Sequence, residues 1–387
     1  MKNKLLILTL LVLVFISCKY KTSAPVQTSN LSREDLTETH TIETEKHNLT
    51  LLAAGDNLFH ITIINNFRRG NTHDFSPIYS EIKPLIQAAD LAFVNQETVM
   101  AGTEFGYSGF PLFNTPQSLA RTLADTGFDI INIANNHAMD MGRAGLYNTL
   151  DLLDSIEEFT VIGARKTGDS KRIITKNNIT LGFLSYTFSL NGIALPQREP
   201  NLVSMIKRDI MTQELNELRP LCDFLVVSIH WGAEYLLQPD ASQKDLALFL
   251  AEHNVDLIIG HHPHVLQPVE NLPRPDGKET LCFYSLGNFV SNQREKERIL
   301  GALMLVTFSK TEDDLYISNS GLIPVVCHIE RNFTNTKVYP LYSYTQEILK
   351  KHFLYEKNKM DFGFFNSILF KLGTKLIMYN IFAESSL

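Results

Sequence analysis

Residues 260–264 read Gly260-His261-His262-Pro263-His264 and follow the mostly apolar run Val255–Ile259. This places three imidazoles in four positions at the end of a strand-like segment. Neutral imidazole is a borderline-soft ligand suited to zinc, copper, iron and nickel. Crowded, buried imidazoles cannot all be charged, so they need partners, and a metal ion is a common one. Other apolar runs also end in polar groups. Gly55-Asp56-Asn57 follows Leu51–Ala54, with His60 close behind. Asn95-Gln96-Glu97 follows Ala92–Val94, and Asn135-Asn136-His137, then Asp140, follows Ile131–Ala134. His230-Trp231-Gly232, then Glu234, follows Val226–Ile229, and Ser285-Leu286-Gly287-Asn288 follows Cys282–Tyr284. Singly, each has an ordinary explanation as a turn residue, a helix cap or a solvated carboxylate. Together they read as groups converging at one edge of an α/β sheet.

An oxygen-and-nitrogen shell of Asp, Glu, Asn and His suits a divalent manganese, iron or zinc ion. A carboxylate can bridge two ions about 3.5–4 Å apart, and a metal lowers the pKa of bound water to about 7. A neighbouring imidazole that is not a ligand can protonate a leaving group. Asn135, Trp231, Glu234 and Asn288 are expected to line the same pocket. Trp231 fits equally well as packing at the sheet edge.

The elements that must position these groups follow from the hydrophobic pattern. Short β-type runs start at Leu51, Leu91, Ile130, Thr160, Ile179, Phe224, Val255 and Leu281. Helical segments over Ser80–Ala89, Pro116–Thr126, Gly145–Ser155 and Ser242–His253 separate several of them. Strands alternating with helices predict an α/β fold. Leu303–Phe308 and Leu322–His328 read as strands with no helix between them, which suggests an antiparallel portion or a second sheet.

Hydrophobic residues make up 44% of the chain and charged residues 20%, enough apolar sequence for a large core. A net charge of −7 without a basic block argues against nucleic-acid binding. Cys222, Cys282 and Cys327 are too widely spaced for a thiolate metal site and read as buried small residues. The N-terminus has two lysines, an apolar stretch over Leu5–Ile16 and then Ser17-Cys18, the pattern of a bacterial secretory signal. Phe15-Ile16-Ser17-Cys18 resembles a lipobox with Cys18 as the lipidated residue, an uncleaved signal anchor being the alternative. The expected organisation is a signal over 1–17, a flexible tether over 18–48, a domain over 49–330 and a helical extension over 331–387. Within that extension, Leu369–Phe382 reads as an amphipathic cap on the domain or a membrane contact. The body is expected outside the cytoplasm, tethered to the membrane.

The ordered motifs Gly55-Asp56-Asn57, Asn95-Gln96-Glu97, Asn135-Asn136-His137-Ala138-Met139-Asp140, His230-Trp231-Gly232, Gly260-His261-His262-Pro263-His264 and Gly287-Asn288-Phe289 resemble the CapA family of poly-γ-glutamate capsule biosynthesis proteins. The resemblance spans about Leu51 to Val326. It implies the calcineurin-like metallophosphoesterase superfamily and a four-layer αββα sandwich. It also implies Asp56, Asn136 and His230 as metal ligands, Glu97 as the bridging carboxylate and His137 as general acid. His264 and one of His262 or His261 would complete the shell, His262 matching the His-x-His spacing. Two departures stand out. Leu58 occupies the position of a ligand histidine, leaving His60 or Asn57 as substitutes, and Glu97 is one methylene longer than the usual aspartate. The implied function is a divalent-metal hydrolase or transferase acting on an anionic polymer or envelope precursor. The alternative is a non-catalytic polymer-binding or scaffolding subunit beside membrane synthase partners.

Overall fold

A computed structural model describes residues 45–168, 172–358 and 360–372. The signal segment, Cys18, most of the expected tether and the chain beyond Leu372 lie outside the described residues.

Two mixed sheets are built from the expected runs. The first has the order Lys337–Pro340, Leu315–His328, Leu300–Lys310, His47–Asn57, Leu91–Gln96, Ile130–Asn132 and Thr160–Ile162. Its last four strands are parallel, and Asn288–Val290 also pairs in parallel with His47–Asn57. Leu300–Lys310 and Leu315–His328 extend this sheet antiparallel, which resolves the open question about that portion. The second sheet has the order Val269–Pro273, Glu279–Phe283, Leu257–His261, Phe224–His230, Ile179–Thr187 and Arg172–Lys176. Its four central strands are parallel and its two edge strands antiparallel.

The period-2 alternation of side chains explains why both sheets read as continuous apolar runs. In His47–Asn57, Leu49, Leu51 and Ala53 enter a core shared with the second sheet, while Leu52 and Ala54 face helices. In Phe224–His230, Val226 enters the shared core, while Leu225, Val227 and Ile229 face the other way. Helices including Ser118–Thr126 and Gly142–Asp154 cover the first sheet, and Arg208–Leu218 and Ala241–Glu252 cover the second. The result is the expected four-layer αββα sandwich. One helix departs from expectation: Ser80–Ala89 is replaced by two short helices, Ser76–Tyr79 and Lys83–Gln87. Pro77 and Pro84 each sit in the first turn of one piece, where their missing N–H is tolerated; a helix running through Pro84 would lose a bond and clash.

Beyond residue 330 the chain stays on the body. Lys337–Pro340 forms an edge of the first sheet, and Leu349, Phe365, Ile368, Leu369 and Leu372 pack into the core between the sheets. No helix among the described residues is long and apolar enough to cross a membrane. The three cysteines of the body are free thiols.

This C-terminal region carries a buried histidine pair. The His328 and His352 rings lie 5.3 Å apart, and His328 Nδ1 is 2.7 Å from the Tyr344 hydroxyl. Burial, aided by Lys351 and Lys337, lowers the His328 pKa from 6.5 to about 4. Burial, then the neighbouring His328, lowers that of His352 to about 3. Both folded values lie below the unfolded one. The stability they confer is therefore complete above about pH 6.5 and is lost as pH falls towards 4. For His328 alone the loss is on the order of 3 kcal/mol, at about 1.4 kcal/mol per pKa unit. In chelator-treated protein, the stability gap between wild type and a His328→Gln/His352→Gln variant should shrink between pH 7 and 4.5 by denaturant titration. A gap constant with pH would refute this account.

Candidate metal centre

Asp56 ends its strand in the first sheet and is fully buried. Its Oδ1 accepts from Asn95 Nδ2 at 2.8 Å, and its Oδ2 accepts from the His262 backbone N–H at 3.3 Å. His264 Nδ1 lies 3.0 Å from Asp56 Oδ2, and His261 Nδ1 lies 3.4 Å from Oδ1. Glu97, fully buried, follows the neighbouring strand, its N–H donating to the Asn57 carbonyl at 3.3 Å. Glu97 Oε1 lies 3.5 Å from His230 Nε2 and 3.7 Å from His264 Nε2. On the other side, His230 Nε2 is 2.9 Å from Asn136 Oδ1 and 3.2 Å from His262 Nδ1.

Two ligand groups emerge, each with its donor atoms within 4.8 Å of one another: Asp56, Glu97 and His264, and Glu97, His230 and His262. Glu97 belongs to both. A third group joins Glu234 to His262 and His264.

The expectation of one sheet edge is corrected here. Asp56, Glu97 and Asn136 come from the first sheet, whereas His230 and the 261–264 loop come from the second. The two sheets pack face to face, so their strand ends open onto the same side. Glycine permits the close approach. A Cβ on Gly55 would lie 2.0 Å from the Gly287 carbonyl oxygen, and one on Gly260 would lie 2.0 Å from that of Tyr284. The Asp56 N–H donates to Gly287 O at 2.9 Å and the Leu286 N–H to Gly260 O at 3.2 Å, binding both strand ends to one turn. The histidine loop itself is strained. His262 and His264 have φ of 97° and 58°, a left-handed backbone that costs on the order of 1–3 kcal/mol per residue unless its surroundings enforce it.

The donor set fits a divalent cation. Both Glu97 oxygens are buried without a hydrogen-bond partner, and Glu97 belongs to two of the ligand groups. A buried orphan polar atom costs about 1–3 kcal/mol, and a bound cation would satisfy it. Burial, then the charge of His262, holds His230 well below the usual imidazole range, and burial lowers His262 to about 4. Both are thereby held in the neutral form that ligates metals. Burial would raise Asp56, but the neighbouring His261 and His264 outweigh it and hold it well below the usual carboxylate range. Burial, then the charges of Asp56, Glu234 and Asp140, raises Glu97 well above that range.

The remaining candidates fall in different places. His137 lies beside the cluster, its Nδ1 2.8 Å from Asp140 Oδ2, which also accepts the Phe113 N–H at 2.7 Å. The Phe113 ring meets His137 edge-on at 4.7 Å. Asn135 Oδ1 accepts the His137 N–H and its Nδ2 donates to Gln96 O, so Asn135 shapes the loop. Asn288 Nδ2 donates to the His264 carbonyl at 3.3 Å and to Arg298 O at 2.9 Å, steadying the histidine loop. His261 stacks on Phe93 behind Asp56 and is in none of the ligand groups.

Three expectations are corrected. Trp231 is not a pocket wall: it packs in the core between the second sheet and its helices, stacks on Tyr284, and donates its indole N–H to the Tyr284 carbonyl at 2.9 Å. Asn57 is no substitute ligand, because its Nδ2 donates to Gln96 Oε1 and its Oδ1 accepts from the Tyr79 hydroxyl. His60 is none either, since its Nδ1 accepts the Asn292 N–H at 3.2 Å and it joins no ligand group.

Sequence reasoning missed the supporting residues. Asn95, Asn132 and Ser185 form a buried relay behind Asp56: Asn132 Nδ2 donates to Asn95 Oδ1 at 2.9 Å, and Ser185 Oγ donates to Asn132 Oδ1 at 2.6 Å. Amides inside otherwise apolar runs were the available signal. The i,i+3 spacing of His137 and Asp140 was another. Asn191, whose Oδ1 accepts from Asn136 Nδ2 at 3.2 Å, sits in a patternless loop and left no signal.

Fold and site together define a four-layer α/β protein with a candidate metal centre at the shared mouth of its two sheets. The chain belongs to the family described as bacterial capsule synthesis protein PGA_cap, whose profile matches residues 50–293. It is 32% identical over 224 residues to the PGA biosynthesis protein CapA of Bacillus subtilis, covering 56% of this chain and 57% of that one. It is 28% identical over 262 residues to the capsule biosynthesis protein CapA of Bacillus anthracis, covering 64% and 61%. The chain thus spans less than two thirds of these relatives' length. Among solved structures it is similar to a calcineurin-like phosphoesterase from Bacillus subtilis, at 12% identity and a TM-score of 0.44, covering 84% of this chain and 99% of that one.

Proposed function

We propose that this chain is an exported, membrane-tethered protein of capsule or envelope polymer synthesis that carries a divalent-metal hydrolase or transferase site. The observation that carries the reading is Glu97, a fully buried carboxylate shared by two ligand groups, with His137 beside them. Asp56, Glu97 and His264 would hold one ion, and Glu97, Asn136, His230 and His262 the other. Bound there, manganese, iron or zinc would supply Lewis acidity towards a phosphoryl or carbonyl oxygen. The chain's own residues do the rest. Asp140 orients His137 through Nδ1, which leaves Nε2 as the nitrogen that can pass a proton to a leaving group. Buried Phe113 packs on His137 and limits water at that ring.

An anionic substrate is supported by the rim. The Arg298 guanidinium lies 3.4 Å from the centre of the Tyr235 ring, which sits 6.2 Å from the His264 ring. Poly-γ-glutamate and phosphorylated envelope precursors are both anionic and suit this rim. The lipobox-like segment ending at Cys18 supports export and tethering. A second reading, a non-catalytic polymer-binding or scaffolding subunit of a membrane synthase complex, is favoured by Leu58. It is apolar and buried, and neither Asn57 nor His60 replaces it.

The test is incubation of the purified full-length chain, with Mn²⁺, Fe²⁺ or Zn²⁺, with poly-γ-glutamate and with phosphoester substrates. Metal-dependent cleavage or transfer that chelator abolishes is expected. Stoichiometric metal binding with no turnover of either class, alongside polymer retention, would favour the scaffolding reading.

A further inference from the structure

Glu234 stands on the loop that leaves the His230 strand, and the fold ties this loop to the histidine loop at both ends. The Trp231 N–H donates to the His261 carbonyl at 3.1 Å, and the Tyr235 N–H donates to the Pro263 carbonyl at 2.8 Å. One residue further, the Leu236 carbonyl accepts from Gln267 Nε2 at 2.8 Å. Gly232 and Tyr235 adopt φ of 82° and 67°, which curls the segment back over the histidines. Backbone bonds therefore set the place of Glu234, while its side chain is exposed.

A Glu234 carboxylate oxygen and one ring nitrogen each of His262 and His264 lie within 4.8 Å of one another. Ligand atoms about 2.1 Å from a common ion sit roughly 3–4 Å apart, a spacing that rotation of an exposed carboxylate reaches. Meanwhile the first ligand group lacks a donor on the Asp56 loop. Leu58 is apolar, both ends of the Asn57 amide are engaged, and His60 Nδ1 accepts from the backbone.

We propose that Glu234 is itself a metal ligand, the solvent-side carboxylate on the ion held by Asp56, Glu97 and His264, and that it makes good the donor missing at Leu58. The proposal rests on the metal reading given above. An exposed carboxylate ligand is also one that an incoming phosphate or carboxylate can displace, which suits a site open to anions.

The test is titration of the full-length chain with Mn²⁺ by calorimetry, with free Mn²⁺ followed by electron paramagnetic resonance. Wild type, Glu234→Gln and Glu97→Gln are compared, with circular dichroism and thermal melts confirming the fold of each. Glu234→Gln should weaken one binding step by at least about 10-fold, with Glu234→Asp intermediate. If Glu234→Gln titrates as wild type while Glu97→Gln loses binding, Glu234 is no ligand although the metal centre stands. If wild type binds no Mn²⁺, the metal reading falls and this proposal with it.

Discussion

Replacing Glu97 with glutamine is expected to strip the chain of both ions in one step. Among the described residues Glu97 is the carboxylate common to the two inner ligand groups, so each ion loses one negatively charged ligand. A ligand saturating at 100 times its dissociation constant stabilises the native state by about 2.7 kcal/mol. Adding Mn²⁺ or Zn²⁺ should therefore raise the melting temperature of wild type by several degrees and that of Glu97→Gln not at all. In chelator the order should reverse. The folded pKa of Glu97 lies above its ordinary value, because burial and then Asp56, Glu234 and Asp140 oppose its ionisation. Above the ordinary carboxylate range the unfolded chain thus gains from ionising Glu97, and the folded state loses stability as pH rises. A neutral amide of similar shape escapes that cost, so Glu97→Gln without metal should melt above wild type at pH 7.5. Metal binding must also release a proton from Glu97, so affinity should fall as pH is lowered. Equal melting shifts on metal addition for wild type and Glu97→Gln would remove Glu97 from the centre.

His137→Asn is expected to lower turnover of the cleaved substrate by about 10²–10⁴-fold while leaving metal content and the melting temperature close to wild type. His137 is in none of the ligand groups, so its loss should fall on proton transfer rather than on metal binding. Asp140 acts through His137: the 2.8 Å contact at Nδ1 fixes the orientation of the ring. Asp140→Asn should therefore cost less in rate than His137→Asn, with the loss falling on kcat while KM and metal content stay near wild type. A purely structural Asp140 would instead lower the melting temperature and leave kcat of the folded protein unchanged. A His137→Asn variant with full activity, or one that loses its metal, would overturn the assignment.

Much of the fold was legible because a strand buried on both faces reads as a continuous apolar run. Ala92–Val94, Phe224–Ile229 and Leu257–Ile259 behave that way, and each sits in the middle of a sheet. The polar groups that close such runs stood out by contrast, which is how Asp56, Glu97, Asn136, His230 and the 261–264 loop were found. Pro84 was visible too, yet the apolar spacing over Ser80–Ala89 predicts a single helix running through it.

By itself the sequence determined which side chains are available and at which strand ends, since type and period are local properties. It could not say that those ends belong to two sheets, because pairing depends on contacts between distant segments. Nor could it separate neighbours such as His261 from His262. One packs on Phe93 behind Asp56 and the other faces His230, a division decided by the left-handed turn at residue 262. Trp231 and Asn57 stayed open for the same reason: whether a group next to a ligand points into the site or into the core is set by the partners it meets. Tyr284 meets the first, Gln96 and Tyr79 the second, and only the folded chain brings them together.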